Sequence, residues 1–150
     1  MTFTAQSTQP DPERHAAFYR GVLSKRFLAW ILDMVLIALI TAMIVPFTAF
    51  TALFFLPGLF LVVGFLYRWT TLSGRSATWG MRLMNIEFMD RQGQRFDAGN
   101  ALLHTLGYSL SMAFVLPQLA SVVLMLTSAR GQGLTDYVLG SVAINTPASR

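Results

Sequence analysis

Three apolar stretches dominate the chain, and polar residues collect between and around them. The first, FLAWILDMVLIALITAMIV over residues 27–45, is interrupted by a single charge, Asp33. Its nineteen residues, at about 1.5 Å each, cover the roughly 30 Å hydrocarbon core of a bilayer. Pro46 ends it. The second, FTAFTALFFLPGLFLVVGFLY over residues 47–67, carries no charge. Pro57-Gly58 in its middle would break a soluble helix, but a membrane helix tolerates such a pair with a kink. The turn between the two runs is short, so they form a hairpin.

The third region, residues 98–127, has another texture. His104, Ser109 and Ser111 interrupt its first half, and Pro117-Gln118 its middle. Leu102, Leu103, Leu106 and Leu110 give that first half one apolar side. Two readings compete. It is either one tilted span kinked at Pro117, with the C-terminus outside, or an interfacial helix followed by a return helix, with the C-terminus inside. Arg130 favours the inside reading.

The segment between the second and third regions, residues 70–97, is the most polar. Within it Met84, Ile86 and Phe88 alternate with Asn85 and Glu87, the period of a half-buried strand over 82–89. Asp90-Arg91-Gln92-Gly93 reads as a turn, and Asp97 as the N-cap of a helix starting at Ala98. YVLGSVAIN near the C-terminus also has strand character and would pair with 82–89 if both lie on the cytoplasmic side. Residues 1–17 read as a disordered lead, with Pro10 and Pro12 beside acidic residues. Phe18 to Arg26 reads as a short interfacial turn of helix, and 147–150 as a tail. The fold expected is an all-α membrane protein over 18–146. It has a transmembrane hairpin, a cytoplasmic polar segment with a short β strand, and a third, kinked hydrophobic helical region.

Composition strengthens this picture. Hydrophobic residues make up 54% of the 150 and charged residues 12%, against about 25% charged in soluble domains. Lipid is therefore an expected partner. The net charge of +4 does not point to nucleic acid, because the basic residues stand beside apolar stretches, the pattern for anionic headgroups. Arg20, Lys25 and Arg26 precede the first run; Arg68, Arg75 and Arg82 follow the second; the turn between has no charge. By the positive-inside rule the hairpin runs in-out-in with a cytoplasmic N-terminus. Tyr67, Arg68 and Trp69 are expected to anchor the second span at the headgroup level.

Asp33 is the most informative single residue. It lies six residues into the first run, about 9 Å below the interface. An aspartate near a helix centre costs about 2.5–3.5 kcal/mol on insertion scales, so it needs a partner or a function. It is read either as a polar contact between helices or as a cation or proton relay. Arg26 shares its face seven residues earlier, but about 10 Å separates the two along the axis; alone, Arg26 reads as a snorkelling anchor. Asp136, in GQGLTDYVLG, brings a second carboxylate to the membrane edge, or is an ordinary turn aspartate. His104 and Tyr108 form an i, i+4 pair that reads as packing.

Other chemistry finds little support. The chain has no cysteine and two histidines, and no His/Asp/Glu spacing suggests a metal site. No nucleophile elbow, P-loop or dinucleotide fingerprint occurs. Neither an enzyme nor a cofactor is expected.

Taken together, SKRFLAWILD, the segment SGRSATWGMRLMNIEFMDRQGQ and GLTDYVLGSVAIN resemble the RDD family of small membrane proteins, over roughly residues 18–146. The family is named for one arginine and two aspartates, which correspond here to Arg26, Asp33 and Asp136. Where the family commonly has a histidine before the second aspartate, this chain has Thr135; Leu139-Gly140-Ser141 stands in place of Ala-Gly-Thr. The resemblance implies that Arg26, Asp33 and Asp136 form one charged triad and that the C-terminal segment returns to the first span. It also implies a bacterial inner-membrane location. Transport, including sodium–proton exchange, has been proposed for some members. Two or three spans cannot enclose a path, so transport would need a homo-oligomer or other membrane proteins as partners. A non-enzymatic scaffold or assembly partner with a structural triad is the alternative.

Overall fold

A computed structural model of the chain describes residues 8–148. Helix α1 spans Val22–Phe47 and helix α2 spans Leu56–Arg75. The short helix α3, Trp79–Leu83, follows, then strand β1, Ile86–Met89. Helices α4 (Ala98–Ala113) and α5 (Val115–Thr127) form a bent pair. Helix α6, Leu134–Leu139, and strand β2, Val142–Asn145, complete the order.

The hairpin follows from the two apolar runs. The stretches Ala16–Phe47 and Thr51–Arg75 are both long and apolar enough to cross a membrane. On α1, Ala29, Asp33, Ile37, Thr41 and Val45 are buried, a stripe with four-residue spacing. Leu28, Ile31, Leu32, Val35, Leu39 and Met43 are exposed, as expected of a helix apolar all round and bathed in lipid. The second helix begins later than the apolar run that encodes it. Ala49 and Phe50 adopt left-handed conformations at φ 50° and 63°, and a 3-10 turn covers Thr51–Phe55. Pro57 sits in the first turn of α2, where a missing amide costs nothing, so it starts the helix rather than kinking it.

The third region bends by 115° between α4 and α5. The break falls at Phe114, an extended residue, and not at Pro117, which is accommodated within α5. The bend returns the chain to the end where α4 began, because β2 pairs antiparallel with β1. The register is Ile86 with Asn145, Glu87 with Ile144, Phe88 with Ala143, and Met89 with Val142.

This two-stranded sheet is buried on both faces, not one. Ile86, Phe88 and Ala143 join a core with Val22, Leu72, Met81, Phe96 and Ala101. Met89, Val142 and Ile144 pack with Phe18 and Tyr19. Glu87, expected on a solvated face, is buried and meets Arg95 at 3.0 Å. A bare two-stranded sheet is marginal in water, and the chain before α1 supplies the missing cover. The disordered lead expected over 1–17 falls partly outside the described residues; from residue 8 onward the segment packs. Gln9 is buried, donating to the Asp90 and Gly140 carbonyls at 2.7 Å each and accepting from Arg130 at 2.8 Å. Lys25 donates to Asn145 at 2.6 Å, which ties the start of α1 to the end of β2.

Candidate functional site

Asp33 is 2% exposed and lies where α1, α2 and α3 meet. Its Oδ1 accepts from the Tyr67 hydroxyl at 2.6 Å and the Gly80 amide at 2.9 Å; its Oδ2 accepts from the Thr78 hydroxyl at 2.6 Å. A helix begins with amides that have no partner inside it. Here the Trp79 amide donates to the Tyr67 hydroxyl at 3.0 Å, the Gly80 amide to Asp33, and the Met81 amide to Thr78 at 3.2 Å. The first turn of α3 is thereby satisfied by side chains from both spans, and the carboxylate sits at the favourable end of the helix dipole. Gly80 is obligatory at this junction: a Cβ there would penetrate the Ala29 carbonyl and lie 2.8 Å from Asp33 Oδ1.

Asp136 forms a second, separate cluster. Arg26 Nη1 meets its Oδ2 at 2.6 Å and also donates to the Gly131 carbonyl at 3.1 Å. His104 Nε2 lies 2.8 Å from Oδ1. The Gly133 amide and the Ser141 hydroxyl donate to the same carboxylate, at 3.0 and 3.2 Å. Burial acts to raise the Asp136 pKa, but the Arg26 charge, the His104 bond and the Gly133 amide outweigh it and hold the carboxyl well below its usual range. The Arg26 guanidinium also lies 5.3 Å from the Phe88 ring centroid, and the His104 ring packs against both members of the stacked Phe88–Phe96 pair.

Arg26 and Asp136 are thus brought together, whereas Asp33 takes its partners elsewhere and makes no ion pair among the described residues. The residues expected as headgroup anchors also turn inward. Helix α2 continues to Arg75, eight residues past Tyr67, so 67–69 lie within a helix packed against its neighbours. Tyr67 and Arg68 are buried. The Arg68 guanidinium stacks 3.8 Å from the Tyr108 ring centroid, and Trp69 donates to the Ala98 carbonyl at 3.2 Å. Tyr108 in turn accepts from the Trp30 indole at 2.9 Å.

The interior roles of Tyr67 and Arg68 are unmarked in the sequence, and His104, expected only to pack, also meets Asp136. Thr78 and Gly80 had a signal, the threonine and glycine of SATWG. A histidine does touch Asp136, but from α4 and not from the preceding position, which is Thr135. Between the two clusters lies a cavity of about 440 Å³, lined by Arg26, Asp33, Arg68, His104, Tyr108 and Asp136 and by apolar side chains of α1 and α5. Among the described residues no group of three or more histidine, aspartate or glutamate side chains is placed to hold a metal.

No curated protein and no solved structure matches the chain. The RDD family pattern matches residues 20–140, which include Arg26, Asp33, the Thr78–Gly80 turn and Asp136. The match covers most of the sequence and both carboxylate clusters, and the chain belongs to the RDD family.

Proposed function

We propose that this membrane protein is a non-enzymatic scaffold whose charged residues are architectural. It would sit in the bacterial inner membrane with its N-terminus cytoplasmic. The observation that carries this reading is the engagement of both Asp33 oxygens, by three donors from α2, α3 and the turn between them. A relay carboxylate needs a free face for its ion; a staple does not. The Arg26–Asp136 pair fastens α6 and β2 to the first span in the same way.

The test is Asp33→Asn in purified protein and in sealed vesicles. The amide loses the charge-assisted bonds, and about 1–3 kcal/mol of stability goes with them. Lower thermal stability and loss of a monodisperse species are expected. Full stability combined with abolished cation or proton flux would overturn the scaffold reading. The second reading, transport by an oligomer, is favoured by one feature: Asp33, His104 and Asp136 all line the same cavity. Flux that is lost in His104→Gln, in protein that stays folded, would support it.

A further inference from the structure

Arg68 has an environment that neither carboxylate cluster explains. It is 7% exposed, and among the described residues its guanidinium makes no hydrogen bond and no ion pair; Nε is fully buried without a partner. Its one compensating contact is the face of Tyr108. A cation–π contact of a desolvated arginine is worth about 2 kcal/mol, whereas an ion withdrawn from water loses several. A buried arginine of this kind is completed by an anion, and its planar fork suits a phosphate or carboxylate.

Among the described residues no acid pairs with Arg68. Asp136 is matched to Arg26, and the Asp33 oxygens are turned onto Tyr67, Thr78 and Gly80. The space beside Arg68 is the cavity of about 440 Å³, within the range of small-molecule sites. Its lining also includes His104, whose Nδ1 is buried and unpartnered. Asp33 and the Arg26–Asp136 pair line it too, with their charges already engaged, and one side is apolar: Phe27 and Trp30 from α1, and Val122, Met125 and Leu126 from α5. Phe27, Val122 and Leu126 are also exposed at the outer surface, so the apolar wall continues from the cavity to the face that lipid covers.

We propose that this cavity binds an anionic phospholipid, with its phosphate on Arg68 and an acyl chain laid against α1 and α5. The volume admits a headgroup and the first part of a chain, and the remainder lies along the exposed apolar face. The unpaired Arg68 guanidinium selects an acidic headgroup, and the apolar side of the wall selects a lipid over a free anion. The site does not depend on whether Asp33 is a staple or a relay.

Native mass spectrometry of the full chain in detergent tests this, with phosphatidylglycerol, phosphatidylcholine and inorganic phosphate as probes. One phosphatidylglycerol is expected to be retained in preference to phosphatidylcholine, whose choline cation offsets its phosphate charge, by about tenfold or more, roughly 1.4 kcal/mol. Arg68→Gln should abolish that preference. Val122→Trp, which fills the cavity from a part-exposed wall, should displace both lipids while leaving lipid bound around the outside unaffected. Melting curves establish that each variant is folded. Wild-type preference in folded Arg68→Gln overturns the proposal, as does inorganic phosphate stabilising the protein as strongly as phosphatidylglycerol. Should Arg68→Gln fail to fold, Val122→Trp decides: undiminished retention of one phosphatidylglycerol overturns the site, and its loss supports it.

Discussion

The Tyr67 hydroxyl donates to Asp33 at 2.6 Å, so the one acidic side chain of the first span is bound directly to the second. The same hydroxyl receives the Trp79 amide at 3.0 Å. One phenol therefore joins α1, α2 and the start of α3, and its removal takes one donor from the buried carboxylate and the acceptor from the part-buried Trp79 amide.

Tyr67→Phe tests that junction with almost no change in volume. The expected cost is about 1–3 kcal/mol, the range for leaving buried polar groups unsatisfied. Thermal unfolding in detergent, followed by circular dichroism, reads it. A wild-type melting curve would mean that the hydroxyl does not hold the helices together.

Two glycines make an internally controlled pair. Gly80→Ala drives a methyl group into the Ala29 carbonyl, and α3 must lift off α1. Gly74 has open space around its Cβ position and lies within α2, so Gly74→Ala should be neutral or stabilising by up to about 1 kcal/mol. Size-exclusion profiles and melting curves of the two variants should diverge. Equal behaviour would refute the close approach at Gly80.

The Arg26–Asp136 pair has a signed pH dependence. The Asp136 carboxyl is depressed in the folded state, so its contribution is complete above the ordinary aspartate pKa of about 4. It is lost as the pH falls from there toward the lower folded value. Asp136→Asn should be less stable than wild type at neutral pH, by about 3–5 kcal/mol if Arg26 is left uncompensated. Its stability should also fall less steeply in acid. Melting temperatures from neutrality down through and below about pH 4, compared for the two proteins, decide this.

The paired strands fix the relative side of the two ends. Because β2 pairs with β1, and Asn145 also donates to the Ala17 and Arg20 carbonyls, both ends lie at one end of the hairpin. Compartment-specific reporters fused at the N-terminus and at the C-terminus should signal on the same side. Opposite signals would be incompatible with this strand pairing in one chain.

How much of this was legible in the sequence depends on the range of each interaction. The hairpin, the bent third region and the Asp97 cap, which accepts from Asn100 at 2.7 Å, follow from local pattern. The tail strand was legible as well, since Val142 and Ile144 needed a covered face; of the strand expected over 82–89, Ile86–Met89 offers it, while Arg82 and Leu83 end α3 instead. Tyr67 and Arg68 were not. At the end of a charge-free run, an aromatic and an arginine carry the same signal whether they point to headgroups or inward. The choice is made by Asp33 and Tyr108, 34 and 40 residues away. The Asp33 cluster was equally hidden, because two of its donors are a glycine amide and a threonine hydroxyl, groups that carry no charge to mark them. In the sequence Arg26 looked like an anchor because its partner stands 110 residues later.

That separation has a consequence in time. Synthesis proceeds from the N-terminus at roughly 5–20 residues per second, so about 5–22 s pass between the making of Arg26 and of Asp136. Throughout that interval Arg26 is an uncompensated cation next to a helix entering the bilayer, able to resist transfer of its end of that helix across it. Once Asp136 arrives, the same charge is neutralised and enclosed. Arg26 would thus serve first as an orientation signal for insertion and later as an interior clasp, two duties that never coincide.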